Sequence, residues 1–374
     1  MSGTADPVWD VAIVGGGPAG LAAAHAAARA GAATVVLERA QHPRYKTCGG
    51  GITGFSLGAL PPGFDLPARD TVRRATFTRD GAREFTRTSP QPLLRMVQRD
   101  EFDAALSKAA SAAGATVREH VTVRSIEQTD DLVRLGLAGG EEVRARVVIG
   151  ADGSAGITAR HVGVVFDQVD LGLEVDVPTP PGGDWNGRLL IDWGPLPGSY
   201  GWVFPKGDLL TVGVIASRGQ GERTKAYLSS FVERLGLAGA PRVHDSGHLT
   251  RCRAEGSPLR RGRVLVAGDA AGLLEPWTRE GISYALRSGA AAGAAAASGD
   301  LAAYESTVDS TLAPAMRAGR RLLRAFERHA SRFHAAVGTP PGFRVFARFC
   351  RGELDLASLL SHRSVRATVA LLGG

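Results

Sequence analysis

Apolar blocks separated by a glycine-rich turn open the chain. The run VAIV at 11–14 is apolar throughout and predicts a short buried strand. The turn GGGPAG follows at 15–20, and the alanine-rich stretch up to about Ala30 predicts a helix. Next, ATVVLER is rich in β-branched residues and predicts a second strand that ends at Glu38. Strand, glycine turn, helix and strand in this order predict a βαβ unit.

Alternating and apolar stretches continue beyond this unit. Residues 71–88 alternate around Asp80-Gly81 and predict a hairpin. A buried strand near Val264 runs into a turn and then into a long helix rich in alanine and glycine. The other predicted bounds are about 100–113 for a helix, 121–126 and 147–150 for two strands, and roughly 297 for the end of the long helix.

The middle of the chain has a different character. Residues 163–250 are rich in strand formers, contain tryptophans at 185, 193 and 202, and are divided by many glycine and proline turns. This pattern predicts a mainly antiparallel sheet with one helix near 225–235. We therefore expect an α/β fold with a Rossmann-like lobe, a mainly antiparallel β-sheet lobe, and a helical C-terminal segment. The expected division is 1–70, 96–162 and 255–310 for the first lobe, 71–95 and 163–254 for the second, and 311–374 for the segment.

Composition narrows the class of protein. Hydrophobic residues make up 44% and charged residues 22% of the 374 residues, as in ordinary soluble globular proteins. No uncharged apolar run is long enough to predict a membrane span, and MSGTADPVWD lacks the pattern of an export signal. Cys48, Cys252 and Cys350 are far apart, which argues against a disulfide framework or a zinc site and favours a reducing cytoplasm.

The positive charge is concentrated in the C-terminal segment. Its eleven arginines and three acidic residues give a charge of +8, whereas the whole chain carries +7, so the body is close to neutral and nucleic-acid binding is not expected. An apolar stripe also recurs there at helical spacing. Either the stripe packs on the first lobe and the arginines are solvated, or the helix rests on an anionic membrane or receives a diphosphate head group. The stripe is Met316, Gly319, Leu323, Phe326, Ala330, Phe333 and Val337.

The glycine turn carries the first chemical signal. Gly15, Gly17 and Gly20 satisfy G-x-G-x-x-G between a strand and a helix, so the backbone can approach a pyrophosphate at the helix N-terminus. Glu38 follows Gly15 by 23 residues, at a strand end where a carboxylate accepts ribose hydroxyls. The pattern predicts a dinucleotide, but by itself it does not distinguish FAD from NAD. A tight turn without a ligand is the alternative.

Two later segments repeat the design of a buried strand followed by an acid. They are VVIGADGS, with Asp152-Gly153, and LVAGDAAG, with Asp269. With the first motif, they resemble the flavoprotein family of aromatic hydroxylases and geranylgeranyl reductases. The resemblance implies a Rossmann-like FAD-binding lobe in which Asp269 contacts the ribityl or ribose part of FAD, and Asp152 and Gly153 lie where FAD and the nicotinamide meet. A further implication of the resemblance is that the antiparallel lobe binds substrate. It also implies FAD contacts at Ala19, Arg39, Arg99 (phosphate), Val123 (adenine edge, through its backbone), Gly281 and Ile282.

Three further segments are similar to geranylgeranyl reductases in particular. They are PRYKTCGG at 43–50, YGWVFP at 200–205, and the run from GDAAG to EGI at 268–282. The resemblance implies that Cys48, Gly49 and Gly50 contact the flavin, and that Cys48 either donates a proton or only packs there. The chain departs from the family at Ile215, at Arg279 in place of a glycine, and at Glu275. We expect Arg279 and Glu275 to pair at the flavin mouth.

The resemblance implies an FAD-dependent oxidoreductase that reduces carbon–carbon double bonds of an isoprenoid or related apolar substrate. NAD(P)H or a small electron carrier would be a transient donor, because the sequence has no second G-x-G-x-x-G. Tyr200, Trp202 and Phe204 are the expected substrate contacts, although they could equally be core residues. The alternatives are a monooxygenase that hydroxylates an aromatic or polyketide-like molecule, and a flavin- and lipid-binding protein without turnover. A halogenase is disfavoured because Tyr200 replaces the first tryptophan of the halogenase Trp-x-Trp-x-Ile-Pro signature.

Overall fold

A computed structural model describes residues 8–362 and Val365. The remaining residues of the predicted first lobe and C-terminal segment (1–7, 363–364 and 366–374) lie outside the described part. Within residues 8–362 the strands are β1 (Trp9–Val14), β2 (Thr34–Leu37), β3 (Gly51–Ile52), β4 (Ala68–Val72), β5 (Arg74–Arg79), β6 (Ala82–Thr88), β7 (Leu94–Val97), β8 (Thr116–Arg118), β9 (Val123–Gln128), β10 (Val133–Leu137), β11 (Glu142–Gly150), β12 (Phe166–Pro178), β13 (Arg188–Trp193), β14 (Tyr200–Lys206), β15 (Leu209–Ser217), β16 (His244–Arg253), β17 (Arg260–Arg261) and β18 (Val264–Val266). The helices are α1 (Pro18–Arg29), α2 (Gly54–Leu57), α3 (Arg99–Ala112), α4 (Ile157–Val162), α5 (Gly221–Arg234), α6 (Ile282–Ser298), α7 (Leu301–Thr311), α8 (Ala313–Gly338), α9 (Pro340–Cys350) and α10 (Leu356–Ser361), with a 3-10 turn at Gly268–Ala271.

The first sheet is built around parallel strands. Its order is β17-β18-β11-β1-β2-β8, and β9 and β10 extend β11 as an antiparallel meander. Pairing is parallel from β18 through β11, β1 and β2 to β8. The inner strands carry buried apolar runs, at residues 11–14 in β1 and 147–149 in β11, because helices such as α1 and α6 pack against the sheet. Their carboxyl ends, where the glycine turn and both later acids begin, meet at one edge.

The second sheet is mainly antiparallel, with the order β16-β12-β15-β14-β13-β5-β6. Its single parallel pair within residues 8–362 joins β13 to β5, so the predicted 71–88 hairpin extends this sheet. Helix α5 covers one face and buries Tyr227 and Phe231 against Val175 and Val203. A small antiparallel sheet, β3-β7-β4, was not predicted. The expected α/β fold class is confirmed.

The C-terminal segment folds back onto the body. Helix α8 bends at His329 and ends at Gly338, and α9 begins at Pro340. Of the predicted stripe, Met316 joins the core of the first lobe. From Phe326 onward the stripe packs on the antiparallel sheet instead, with Phe326 in edge contact with Trp193 at 5.1 Å between ring centroids. The interpretation that the stripe packs on the first lobe is therefore wrong for its second half, and the membrane alternative stays a prediction.

No helix within residues 8–362 combines the length and apolarity that a bilayer crossing requires.

Candidate cofactor and substrate cavity

A cavity of about 1350 Å³ opens where the carboxyl ends of the parallel strands face the antiparallel sheet. This volume exceeds the roughly 300–1,000 Å³ of a usual small-molecule site and leaves room for a cofactor and a second molecule. Every predicted site residue lines the cavity except Gly20. Those that line it are Gly15, Gly17, Ala19, Glu38, Arg39, Cys48, Gly49, Gly50, Arg99, Val123, Asp152, Gly153, Tyr200, Trp202, Phe204, Asp269, Gly281 and Ile282.

Each of the three glycines of the G-x-G-x-x-G turn is needed for a different structural reason. Gly15 has a left-handed φ of +105°, which favours glycine. A Cβ at Gly20 would overlap the Gly15 carbonyl oxygen, so Gly20 supports the turn from behind. Gly17 faces the cavity, and the nearest atom to a Cβ there would be Nη2 of Arg44, at 3.8 Å. The free N–H groups at the start of α1 and the Arg44 charge therefore face the same space, as an anionic diphosphate requires.

Glu38 braces the turn. Its buried carboxylate accepts hydrogen bonds from the amides of Gly16 at 2.6 Å and Ala40 at 2.9 Å. Arg44 Nε lies 3.6 Å from the same carboxylate. Glu38 thus stands at the end of β2, where the ribose of a dinucleotide is expected, with Arg39 and Val123 beside it on the cavity wall.

A buried carboxylate organises two arginines between the diphosphate site and the thiol. Asp103 accepts two hydrogen bonds from Arg99, both 2.9 Å, and one from Arg44 at 3.1 Å. Burial would lower the pKa of Arg99, but Asp103 and the facing Cys48 thiol outweigh it and hold that pKa above its usual value. Sequence reasoning missed Arg44 as a cavity cation, although the basic run PRYK preceding Cys48 was its signal.

The two later acids are placed differently. Asp152 accepts from the amide and the hydroxyl of Thr158 and so holds the start of α4, while burial raises the pKa of Asp152. Asp269 lies in the 3-10 turn, and its Oδ2 is 3.7 Å from Nε2 of His248, whose Nδ1 is 3.1 Å from Lys46 Nζ. Burial acts to raise the pKa of Asp269, but His248, Lys46 and Arg99 together lower it. Asp269 is therefore an anion in basic surroundings, and sequence reasoning missed Lys46 and His248.

The glycine ledge, Gly49–Gly51, fits closely against protein on its far side. A Cβ at Gly49 would lie 2.8 Å from the Phe204 ring, and one at Gly50 would overlap the Val97 carbonyl oxygen. Gly50 also has a left-handed φ of +74°. The packing of β14 and β7 against the ledge therefore requires glycine at 49 and 50, whereas a Cβ at Gly51 would lie at an ordinary contact distance of 3.5 Å from Leu94. Half-buried Cys48 stands at its edge, on the cavity wall.

Three aromatic side chains line one wall because they alternate along β14. The centroid of the Trp202 ring is 5.9 Å from that of Tyr200 and 6.3 Å from that of Phe204. The Tyr200 hydroxyl donates to the Thr278 carbonyl, and the Trp202 ring lies over Gly213, where a Cβ would overlap it. Among the described residues, Trp202 Nε1 is a buried donor without a partner, as expected at a site that receives a ligand.

Arg279 does not pair with Glu275, so that expectation is wrong. Its guanidinium donates to Asp170 at 3.1 and 3.2 Å and to the Gly198 carbonyl at 3.0 Å. Glu275 instead accepts from the amides of Trp277 and Thr278. Arg279 has a φ of +56°, which suits the glycine it replaces in the family. The buried ion pair with Asp170 ties the cavity mouth to β12.

Beyond the aromatic wall most of the lining residues are apolar, and within the described part of the C-terminal segment Arg332 and Asp355 are the charged exceptions. We call this part the apolar arm, and it is completed by the C-terminal segment, which sequence reasoning did not place at the site. The periodic apolar stripe of the C-terminal segment indicated that one helix face is buried, but it could not indicate which surface covers that face. The lining residues there are Leu189, Ile191, Trp193, Phe333, Val337, Phe346, Phe349, Leu356 and Leu359.

These features define an FAD-dependent oxidoreductase. The glycine turn, the Arg44 charge and the unpartnered Trp202 donor fit FAD, and residues 8–177 match the family described as FAD binding domain. A geranylgeranyl bacteriochlorophyll reductase-like protein of Thermoplasma acidophilum has the same fold. Its TM-score is 0.79 at 22% identity, and the match covers 98% of this chain and 99% of that one.

Relatives at higher identity fix the family. A digeranylgeranylglycerophospholipid reductase of Methanocaldococcus jannaschii is 30% identical over 302 residues, which cover 76% of each chain. A menaquinone reductase of Mycobacterium tuberculosis is 32% identical over 322 residues, which cover 79% of this chain and 78% of the relative. The chain belongs to the geranylgeranyl reductase family of FAD-dependent oxidoreductases, and the resemblance noted in the sequence is confirmed.

Proposed function

We propose that the protein reduces carbon–carbon double bonds of a substrate with an isoprenoid chain, with electrons from NAD(P)H or a small electron carrier. The observation that carries this proposal is the apolar arm, which continues from the Cys48 edge of the glycine ledge into the C-terminal helices. An isoprenoid chain has no hydrogen-bonding groups, so a wall of aromatic and aliphatic side chains suits it. Relatives named for reducing a digeranylgeranyl lipid and menaquinone support the same substrate class.

FAD, when bound, supplies the hydride chemistry. The chain's own residues hold the diphosphate at the glycine turn, exclude water with the aromatic wall, and orient an alkene near Cys48. Adding hydride to one alkene carbon requires a proton at the other, and the Cys48 Sγ is the proposed donor. Arg99 faces that thiol and favours the thiolate left after the transfer, because it places a buried positive charge beside it.

The test is anaerobic turnover of the purified, FAD-loaded protein. The flavin is reduced chemically, and mass spectrometry follows a panel of polyprenyl diphosphates, polyprenyl phospholipids and polyprenyl quinones. A gain of two hydrogen masses per reduced bond is expected with at least one of these lipids. Gain of one oxygen atom in air, with an aromatic substrate, would show a monooxygenase instead.

Cys48→Ser and Cys252→Ser separate the proton donor from the rest of the site. Cys252 is buried away from the cavity wall and is the matched control. We expect Cys48→Ser to lower the turnover rate about 10²-fold, as for the loss of a general acid, while flavin binding is retained. Equal rates for the two variants would remove Cys48 from the mechanism and leave the substrate class standing.

A further inference from the structure

The main chain of Cys48 lies between two buried charged side chains. Its N–H donates to Glu174 Oε1 at 2.7 Å, and its carbonyl accepts from Lys206 Nζ at 3.2 Å. Glu174 is 2% exposed and Lys206 5% exposed. Both polar groups of one peptide segment are thus satisfied by ionisable groups that are almost fully removed from water.

The two side chains reach Cys48 from a distant part of the sequence. Glu174 belongs to β12 and Lys206 ends β14, at separations of 126 and 158 residues from Cys48. Both strands are in the antiparallel sheet, whereas Cys48 follows the segment of the Rossmann-like lobe that holds the glycine turn. The pair therefore ties the Cys48 main chain, which belongs to the first lobe, to the antiparallel sheet across the cavity.

Burying a charged side chain costs free energy, and the positions of Glu174 and Lys206 against the glycine ledge indicate why the fold retains them. Two buried ions usually stabilise a fold less than apolar groups of the same size, so their use here needs a local reason. Lys206 Cε would lie 3.1 Å from a Cβ at Gly50, so the lysine runs along the back of the glycine ledge. Glu174 lines the cavity in front. Burial raises the pKa of Glu174, while Lys206 and the Cys48 amide oppose that shift.

We propose that Glu174 and Lys206 are positioning residues that fix the Cys48 main chain at the flavin and place opposite charges on the two sides of the ledge. This inference uses the FAD site and rests on the proposed function only for the role of the thiol. The lysine makes it easier for the bound flavin to accept electrons and negative charge, and the glutamate makes it harder.

The experiment compares Lys206→Gln and Glu174→Gln in the FAD-loaded protein by spectroelectrochemical titration of the flavin. Lys206→Gln is expected to shift the flavin midpoint potential to more negative values, and Glu174→Gln to more positive values. The double variant should return close to wild type, and Lys206→Arg should retain the wild-type potential. Lys225→Gln, the same charge change on a side chain 66% exposed, is the control and should give no shift.

A second measurement is the rate at which the Cys48 thiol is alkylated in FAD-free protein. It can therefore also be made on any variant that binds FAD poorly. Alkylation of Cys48 by iodoacetamide, read by mass spectrometry, should change at least threefold in Lys206→Gln and stay at the wild-type rate in Lys225→Gln. Shifts of the same sign in both glutamine variants would overturn the proposal, as would wild-type potentials with wild-type alkylation. Opposite shifts without any lipid reduction would sustain the positioning role and refute the substrate class.

Discussion

The two ends of the cavity are built on different plans. The cofactor end is lined by glycines and charged groups that follow directly on strand ends, such as Gly17 after β1 and Glu38 after β2. The apolar arm is lined by aromatic and aliphatic side chains from β13, β14 and the C-terminal helices. At the cofactor end, backbone amides and charged side chains bind a polar nucleotide. In the apolar arm, the shape of the cavity and the burial of apolar surface determine which substrate fits.

The difference between the two ends separates cofactor binding, which depends on the family's short motifs, from substrate selectivity, which depends on the side chains of this chain. The cofactor end depends on a few residues within short motifs, so a small change there removes binding altogether. The apolar arm distributes its contacts over many residues, so single changes adjust selectivity by degrees. Arg279 lies two residues before Gly281 at the cofactor end and pairs with Asp170. It also donates to the Gly198 carbonyl just before β14, so this buried pair joins the two ends.

The largest effect is expected where the two ends are joined. Asp170→Ala leaves the Arg279 guanidinium buried without its carboxylate, which should lower the free energy of unfolding by about 3–5 kcal/mol. Urea denaturation measures the loss. The exposed pair Arg118–Glu141 provides the control, since Glu141→Ala should cost under about 1 kcal/mol. Comparable losses in the two variants would mean that the Arg279 pair does not join the ends.

Next in size is the loss of the cofactor end alone. Gly20→Ala places a Cβ on the Gly15 carbonyl oxygen and should cost about 1–3 kcal/mol of stability through overpacking. The purified variant should be colourless, because the turn that faces the diphosphate is displaced. Gly239→Ala, where a Cβ would meet no atom within 4 Å, should keep its flavin absorbance. A yellow Gly20→Ala protein would contradict the assignment of this turn.

A change confined to the apolar arm should be smaller and selective. Val337→Phe fills part of the arm and should raise the KM for a long polyprenyl substrate about tenfold, while flavin content stays unchanged. Steady-state kinetics with substrates of increasing chain length give the test. Val243→Phe makes the same exchange at a residue 50% exposed on the surface and should leave KM as it is. An unchanged KM in Val337→Phe would place the substrate elsewhere.

Thiol chemistry distinguishes the two ends without any substitution. Burial raises the pKa of both Cys252 and Cys350 to about 12, so at pH 8 only about one thiol in ten thousand is ionised. Half-buried Cys48 should therefore react first with iodoacetamide, and added FAD should slow it. Labelling in guanidinium chloride, where all three thiols are open, is the reference. Cys350 lines the cavity next to Phe349 of the apolar arm, so equally fast labelling of Cys350 in the folded protein would show that the arm admits water.

The cofactor end was largely predictable from the sequence, because its signals are local. A glycine turn between a strand and a helix, with an acid at the next strand end, fixes Gly15, Gly17 and Glu38 within one βαβ unit. Tyr200 and Trp202 were expected at the site only through the family resemblance, and in the structure they line the cavity together because they alternate along β14. What these patterns require is contained within some thirty consecutive residues or fewer.

The long-range partners were not predictable, because periodicity reports which face is buried and not what buries it. The bond of Glu174 to the Cys48 amide spans 126 residues, and the pairing of Arg279 with Asp170 spans 109. Sequence proximity suggested Glu275 as the arginine's partner, but its carboxylate is occupied by the neighbouring amides. For the same reason the apolar arm was not predicted, since the apolar stripe in α8 packs against strands β5 and β13, which lie far earlier in the sequence.

The order of synthesis gives that last contact a consequence for biogenesis. Phe77 and Trp193 leave the ribosome long before Phe346 and Phe326, which later pack on them at 5.1 Å in each case. A nascent chain therefore presents an aromatic surface until α8 and α9 have been synthesised, and chaperones recognise such surfaces. The nucleotide half of the molecule can assemble while that surface is still uncovered.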